Sequence, residues 1–113
     1  MNDAKNKIPL NPVVFSILYV LIGKTFHGYR IKKKVEADIE SKVATATLYR
    51  HLRRMLEDGM IEEVEMDIED DDPRRQYFKL TKFGSTVYAA EYNRLREIVD
   101  RGLGVPEPVL GGA

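Results

Sequence analysis

The sequence lacks several features that mark whole classes of protein. Its 113 residues include no cysteine and no tryptophan. The absence of cysteine excludes disulfide frameworks, thiolate metal sites and a cysteine nucleophile. No apolar run reaches the ~18 residues that a membrane-spanning helix needs, and the run from Val13 to Ile22 has no small-residue cleavage site of the kind that follows a signal peptide. We therefore expect a cytoplasmic protein that does not engage a membrane.

The chain also lacks a net charge, because 18 basic residues balance 18 acidic ones. A neutral sum argues weakly against a nucleic-acid ligand, but the distribution of charge is more informative than the sum. Residues 24–58 hold nine Lys/Arg against five Asp/Glu, whereas residues 62–72 hold eight acids and no base. This segregation allows a basic face on a neutral protein.

Residues 41–59 predict a short turn followed by one amphipathic helix. Leu48, Leu52, Met55 and Leu56 recur at helical spacing and form an apolar stripe. Gly59 is suited to end the helix, because glycine adopts positive φ without strain. The residues off the stripe carry hydroxyl and guanidinium groups, which hydrogen-bond to phosphates and to base edges in a DNA major groove. The pattern therefore predicts a DNA-reading helix.

Two further helices are predicted before this one. Asn11 and Pro12 are a favourable N-cap and first helical residue, so the first helix runs from there to Ile22. The second covers residues 29–40 and is joined to the DNA-reading helix by a short turn. Two helices with so short a connection form a helix-turn-helix.

The periodicity of the sequence changes after Gly59. Residues 61–68 alternate approximately between apolar and polar, residues 77–80 are rich in β-formers, and residues 69–75 between them are charged. This pattern predicts a β-hairpin with a charged tip, which we call the wing. Thr81 is a suitable N-cap for a last helix that reaches about Arg101.

The predicted fold is mainly α with a small β-hairpin (α+β). It is a winged helix-turn-helix with an N-terminal helix and a C-terminal dimerisation helix. We expect residues 1–84 to form the DNA-binding domain with its N-terminal helix, residues 85–102 to form the dimerisation helix, and residues 103–113 to be a flexible tail, since they are rich in glycine and proline.

The first and last helices carry more apolar surface than a chain of this size is expected to cover. The first is apolar on nearly every side and so requires burial on every side. The last has two overlapping apolar stripes. We therefore predict a homodimer. The residues expected to contact the second copy are Val13, Val14, Ile17, Tyr88, Tyr92, Leu95 and Val99.

The groups predicted to contact double-stranded DNA lie near the start of the DNA-reading helix, on the second helix and at the wing tip. A recognition helix meets base edges with its N-terminal residues, and the backbone N–H groups there favour phosphate. These groups are Lys32, Lys42, Thr45, Thr47, Tyr49, Arg50, Arg53, Arg74 and Arg75. Simpler interpretations remain open, with Thr45 as only an N-cap, Tyr49 as only a core residue and the wing arginines paired with neighbouring acids.

Four short motifs occur in order along the chain. They are H-G-Y at residues 27–29, T-L-Y-R-H-L at 47–52, L-E-D-G-M-I at 56–61 and R-R-Q-Y-F-K-L-T-K-F-G at 74–84. In this order and spacing they resemble the PadR family of transcriptional regulators. The resemblance covers about two thirds of the chain, and it implies a dimeric DNA-binding repressor that uses its winged motif on operators and its last helix for dimerisation.

The resemblance also implies a second property, because some members of the family bind flat aromatic drugs or phenolic acids near the dimer interface. Phe15 and Tyr19 are four residues apart and share one helix face. They are the candidates for contact with a small aromatic effector, with simple packing as the alternative. The absence of tryptophan excludes a Trp-lined drug pocket here.

One competing function comes from another class, since winged helices also serve as protein-interaction modules. The sequence gives no support to an enzyme, because it contains no nucleophile elbow, phosphate loop or zinc-protease pattern. We therefore predict no catalytic residue, no metal site and no cofactor. The primary prediction is a sequence-specific transcriptional regulator, with a (pseudo)palindromic operator expected for a dimer.

Overall fold

The computed structural model describes residues 4–66 and 75–102. A 3-10 turn at Lys5–Lys7 precedes four helices and three strands. In chain order these are α1 (Pro12–Val20), β1 (Phe26–His27), α2 (Gly28–Ile39), α3 (Thr45–Glu57), β2 (Ile61–Val64), β3 (Tyr77–Leu80) and α4 (Lys82–Arg101). This order confirms the predicted α+β winged helix-turn-helix. Because α4 is continuous from Lys82, the expected boundary at residue 84 does not coincide with a break in the structure.

The wing is part of a three-stranded antiparallel sheet with the strand order β1-β3-β2. Val64 of β2 pairs with Tyr77 of β3, as a hairpin requires. The sequence did not predict β1, in which Phe26 pairs with Phe78 and His27 pairs with Tyr77. A two-residue strand has no periodicity to detect, since alternation needs four or more residues. The tip of the wing and the expected tail lie outside the described residues.

Side-chain caps begin three of the four helices. The Asn11 side chain accepts from Val13 N at 2.8 Å, and Thr81 Oγ1 accepts from Gly84 N at 2.9 Å. Both caps were predicted from sequence. His27 caps α2, because its Nδ1 accepts from Arg30 N at 3.2 Å. α1 ends at Val20, two residues before the predicted end.

The core lies where α1, α2, α3 and α4 meet the sheet. Its buried apolar residues are Ala4, Ile17, Leu18, Leu21, Ile31, Val35, Val43, Leu48, Leu52, Met55, Met60, Ile61, Phe78 and Val87. Two assignments from sequence need correction. Ile17 is fully buried inside its own chain, so it is not available to a second copy. The apolar positions of α2 predict that Tyr29 packs inward, but it is 58% exposed.

Glu91 is a charged residue inside this fold that the sequence did not reveal. Its side chain is only 2% exposed. Its carboxylate accepts from Leu10 N at 2.7 Å and from Arg94 Nε and Nη2 at 2.6 and 3.1 Å. The bonds from Arg94, and then the one from Leu10, hold the pKa of Glu91 below its usual range. Glu91 thereby ties the N-terminal segment to α4.

We predict that Glu91→Ala lowers the free energy of unfolding by about 1–3 kcal/mol, because it leaves the partly buried Leu10 N–H without its acceptor. A carboxyl with a depressed pKa stabilises the fold above its unfolded pKa of about 4.3 and loses that effect as the pH falls through the lower folded value. The difference between wild type and variant should therefore be full at pH 7 and shrink below pH ~4. Urea unfolding across this range measures it.

The matched control is Glu97→Ala, which removes an exposed carboxylate from the same helix. This control should change the free energy of unfolding by less than about 0.5 kcal/mol. Equal stability of wild type and Glu91→Ala at pH 7 would contradict the assignment of Glu91 as a tie.

Candidate nucleic-acid interface

The first turn of α3 is open to solvent. The N-cap position is Ala44, whose methyl group cannot cap, and no side chain in the described part of the chain does so instead. Thr45 is therefore the first helical residue and not the N-cap, which corrects the simpler interpretation of this residue. The leading N–H groups of α3 consequently keep their hydrogen-bonding capacity and the positive end of the helix dipole. Such an end is suited to a phosphate oxygen.

Cationic and hydroxyl side chains surround this end of α3. Lys42, Thr45, Arg50 and Arg53 are exposed, and Thr47 is half-buried. The opposite face of α3 lies in the core, as its apolar stripe predicts. Burial lowers the pKa of the neighbouring His51, and the guanidinium of Arg50 lowers it further. Both effects favour the neutral form of His51, so the positive charge of this face comes mainly from lysine and arginine.

Tyr49 joins α3 to α2. A methyl group added at Gly28 would overlap the Tyr49 hydroxyl and would lie 2.6 Å from its Cζ atom. The ring of Tyr49 is half-buried and packs against the first turn of α2. Glycine at position 28 leaves the room that this ring occupies. This contact supports the packing interpretation of Tyr49 over a direct contact with a base.

The turn between α2 and α3 is braced by Glu36. Its Oε2 accepts from Val43 N at 2.9 Å and from Lys32 Nζ at 3.1 Å. The Val43 N–H and then the Lys32 ammonium lower the pKa of Glu36. Lys32 was predicted to contact DNA, but its side chain is only 16% exposed and its charge is already paired with Glu36. We therefore remove Lys32 from the candidate DNA contacts.

The base of the wing meets the start of α2. Arg75 Nη1 lies 3.3 Å from Nε2 of His27, the residue that caps α2. His27 also packs edge-on against Tyr77 at 5.4 Å between ring centroids. Arg75 is exposed and stands two residues before β3, so it lies at the base of the wing and not at the tip, where the sequence placed it. Arg74 lies outside the described residues.

A separate apolar surface occupies the second half of α4. The exposed apolar residues of this face are Tyr92, Leu95, Ile98 and Val99, of which Leu95 is 37% and Val99 72% exposed. The first half of the helix is different, because Val87 and Gly84 are buried in the core. Large apolar side chains grouped on one exposed helix face commonly mark an interaction surface.

Aromatic rings connect this surface to α1. Phe15 stacks on Tyr88 with centroids 5.0 Å apart and ring planes at 11°, and Tyr88 lies 6.2 Å from Tyr92. Burial raises the pKa of the Tyr88 hydroxyl, and the nearby Tyr19 adds to this effect. Val13 and Val14 are half-buried on the same helix as Phe15. The stack already fills the face of Phe15, which favours packing over ligand contact there.

The sequence model of the family described as "Transcriptional regulator PadR-like family" matches residues 17–90. The chain belongs to this family. The resemblance drawn from the four motifs is thereby confirmed, and the protein is a DNA-binding transcriptional regulator and not an enzyme. A comparison with curated proteins found no significant match. No helix within residues 4–66 and 75–102 has both the length and the apolar character to cross a bilayer.

Solved structures of similar fold agree with the architecture. RosR of H. salinarum is 22% identical with a TM-score of 0.64, over 88% of this chain and 83% of that one. A PadR-like transcription factor from Bacteroides fragilis is 22% identical with a TM-score of 0.65, over 88% and 97%. A PadR family transcription regulator from Clostridium difficile is 23% identical with a TM-score of 0.63, over 83% and 100%. At these identities the likeness concerns the fold.

We predict that Gly28→Ala in this PadR-like regulator lowers the free energy of unfolding by about 1–3 kcal/mol, because the new methyl group overpacks against Tyr49. Without that ring, alanine in a helix is more favourable than glycine. The same substitution in a Tyr49→Ala background should therefore be neutral or stabilising. A double-mutant cycle by urea unfolding measures this coupling, and equal effects in both backgrounds would contradict the contact.

Proposed function

We propose that this regulator is a homodimeric repressor that reads a (pseudo)palindromic operator with α3 in the major groove and its wing in the adjacent minor groove. The observation that carries the proposal is the open, cationic N-terminal end of α3. Helix-turn-helix proteins contact bases with this end of the recognition helix. A cytoplasmic location is part of the same proposal, because a regulator acts where the DNA is.

The division of roles within α3 follows from side-chain chemistry. Arg50 is the candidate for a bidentate contact with guanine O6 and N7, and Thr45 and Thr47 for hydroxyl or methyl contacts. Arg53 and Lys42 flank them and suit phosphates. Exposed positions on one face of α3, opposite its buried stripe, support this division.

The wing supplies a second cationic contact in the proposal. Arg75 is exposed at its base, and Arg74 precedes it in the sequence. Arginine suits a narrow minor groove because the potential there is strongly negative. The protein-interaction alternative has no comparable support among these residues, because the exposed groups of α3 are donors suited to an anionic partner.

The exposed apolar face of α4 supports the dimer. Tyr92, Leu95 and Val99, which belong to the predicted stripe, are exposed together with Ile98, and Tyr88 adjoins Tyr92. Val13 and Val14, also predicted at the interface, are half-buried on α1. Two copies that pair through this face would each present one α3 to a two-fold operator. The effector-responsive alternative stays a prediction, with Tyr19 more accessible than Phe15; a titration of a planar phenol followed by tyrosine fluorescence tests it.

We predict that Arg50→Ala weakens binding to an operator selected from random duplexes by about 1–3 kcal/mol and reduces the preference for that operator, because one base contact is lost. Arg53→Ala should weaken binding to operator and scrambled duplexes alike. Fluorescence anisotropy measures both affinities. Lys82→Ala is the control, since Lys82 is exposed at the start of α4, which lies next to the C-terminal end of α3. Unchanged affinity in both arginine variants would refute the groove assignment.

We further predict that Leu95→Glu with Val99→Glu converts the dimer into a monomer at micromolar concentration, because it places two carboxylates in an apolar contact. Light scattering gives the mass directly. Asn93→Glu adds one such charge to an exposed position off the stripe and should leave the dimer intact. A wild-type protein that is itself monomeric under these conditions would refute the dimer.

A further inference from the structure

The start of α2 lies between α3 and the wing, the two elements that are proposed to enter DNA grooves. On one side, Tyr49 of α3 packs against Gly28. On the other side, Arg75 at the wing base approaches His27 at 3.3 Å, and β1 pairs directly with β3 of the wing. Residues 26–33 therefore bridge the recognition helix and the wing.

The geometry of DNA determines what such a bridge faces. One sugar-phosphate strand separates a major groove from the adjacent minor groove. A domain that inserts a helix in one groove and a wing in the other must straddle this strand. The protein surface between helix and wing then faces phosphates, which carry no direct sequence information.

The chemistry of the bridge matches a phosphate strand. Residues 24–35 contain five Lys/Arg and no Asp/Glu. Glu36 pairs with Lys32, but Arg30 is exposed and the Lys33 side chain is 48% exposed, with its Nζ 4.0 Å from the nearest Glu36 oxygen. Tyr29 beside them exposes most of its ring. Together these three residues offer two cations and one hydroxyl donor to phosphate oxygens.

The two exposed cations are partly ordered before any ligand binds. The guanidinium carbon of Arg30 lies 5.7 Å from the centroid of the Phe26 ring. Lys33 Nζ lies 5.5 Å from the centroid of the Tyr29 ring. Cation–π contact at this range restrains long, flexible side chains. Less conformational entropy is then lost when they bind.

We propose that Tyr29, Arg30 and Lys33 form a phosphate patch that holds the DNA strand between the two grooves. The patch raises affinity for all sequences and leaves the choice of sequence to α3. This inference rests on the proposed function, because it takes the grooves of α3 and the wing as given. It adds α2 as a third element in contact with DNA, through residues other than Lys32.

The test uses the full-length protein, a selected operator and a scrambled duplex, with dissociation constants measured by anisotropy over a series of salt concentrations. Each lost phosphate contact reduces the slope of log K against log salt by about 0.9. Arg30→Ala with Lys33→Ala removes two contacts per protomer and should reduce the slope by about 3 to 4 in a dimer. Affinity for both duplexes should fall at least about tenfold, with the ratio between them unchanged within about twofold.

Two further variants make the result specific. Tyr29→Phe keeps the ring that supports Lys33 but loses the hydroxyl, so it should weaken binding severalfold without changing the salt slope. Lys82→Ala removes one charge from the start of α4, near the C-terminal end of α3, and should reproduce the wild-type slope and affinity. Thermal unfolding of each variant confirms that these exposed substitutions leave the fold intact.

The outcomes separate this inference from the proposed function. A wild-type slope in the Arg30/Lys33 double variant overturns the phosphate patch, and so does a loss of the preference for operator over scrambled DNA, because that would indicate base reading by α2. Absence of preference in the wild-type protein overturns the sequence-reading function instead, and the slopes on the scrambled duplex still decide whether the patch exists.

Discussion

The backbone carbonyl of Met60 is the point on which the orientation of the recognition helix depends. It accepts from Thr81 N at 3.1 Å and lies so close to Gly84 that any side chain at Gly84 would overlap it. The Thr81 hydroxyl donates to the adjacent Gly59 carbonyl at 2.5 Å. The end of α3, the start of β2 and the start of α4 are thereby joined directly. In a dimer built on α4, this joint would transmit the geometry of the interface to the helix that reads DNA.

A second joint fixes the other end of the recognition helix. Tyr49 packs on Gly28, and Glu36 holds both Lys32 and the Val43 N–H in the turn that leads into α3. The four motifs of the sequence thus meet in pairs, with H-G-Y against T-L-Y and D-G-M-I against L-T-K-F-G. Gly28 stands where the Tyr49 ring approaches, and Gly84 where the Met60 carbonyl does. Gly59 adopts a positive φ of 77°, and Thr81 caps α4 and bonds to the Gly59 carbonyl. Both joints leave the first turn of α3 open.

Much of this fold could be predicted from the sequence because its signals are local. The apolar stripe of α3, the caps Asn11 and Thr81, and the alternation of the hairpin each involve residues close in the chain. The failures depend on distant partners. β1 exists only because β3 is available to pair with it, and Glu91 is an ordinary helix acid until Leu10 is placed against it.

The candidate site divides in the same way. Arg50 and Arg53 follow from their position opposite an apolar stripe, which is a local property of a helix. Lys32 looked equally free, but its pairing with Glu36 is strengthened by a turn that brings Val43 to the same carboxylate. Ile17 was assigned to the dimer because α1 is apolar on every side, whereas its own chain covers that face. On α2 and α4, the residues available to a partner could be identified only after the structure showed which residues the chain's own fold buries.

The most direct test of the account is the binding of the wild-type protein to the DNA upstream of its own gene, measured by anisotropy at two salt concentrations against a scrambled duplex. A sequence-specific DNA-binding protein with additional phosphate contacts should lose affinity for both duplexes as the salt concentration rises but keep its preference for the upstream DNA. Weak binding that disappears with salt and never distinguishes the two duplexes would contradict sequence reading and leave only attraction between charges.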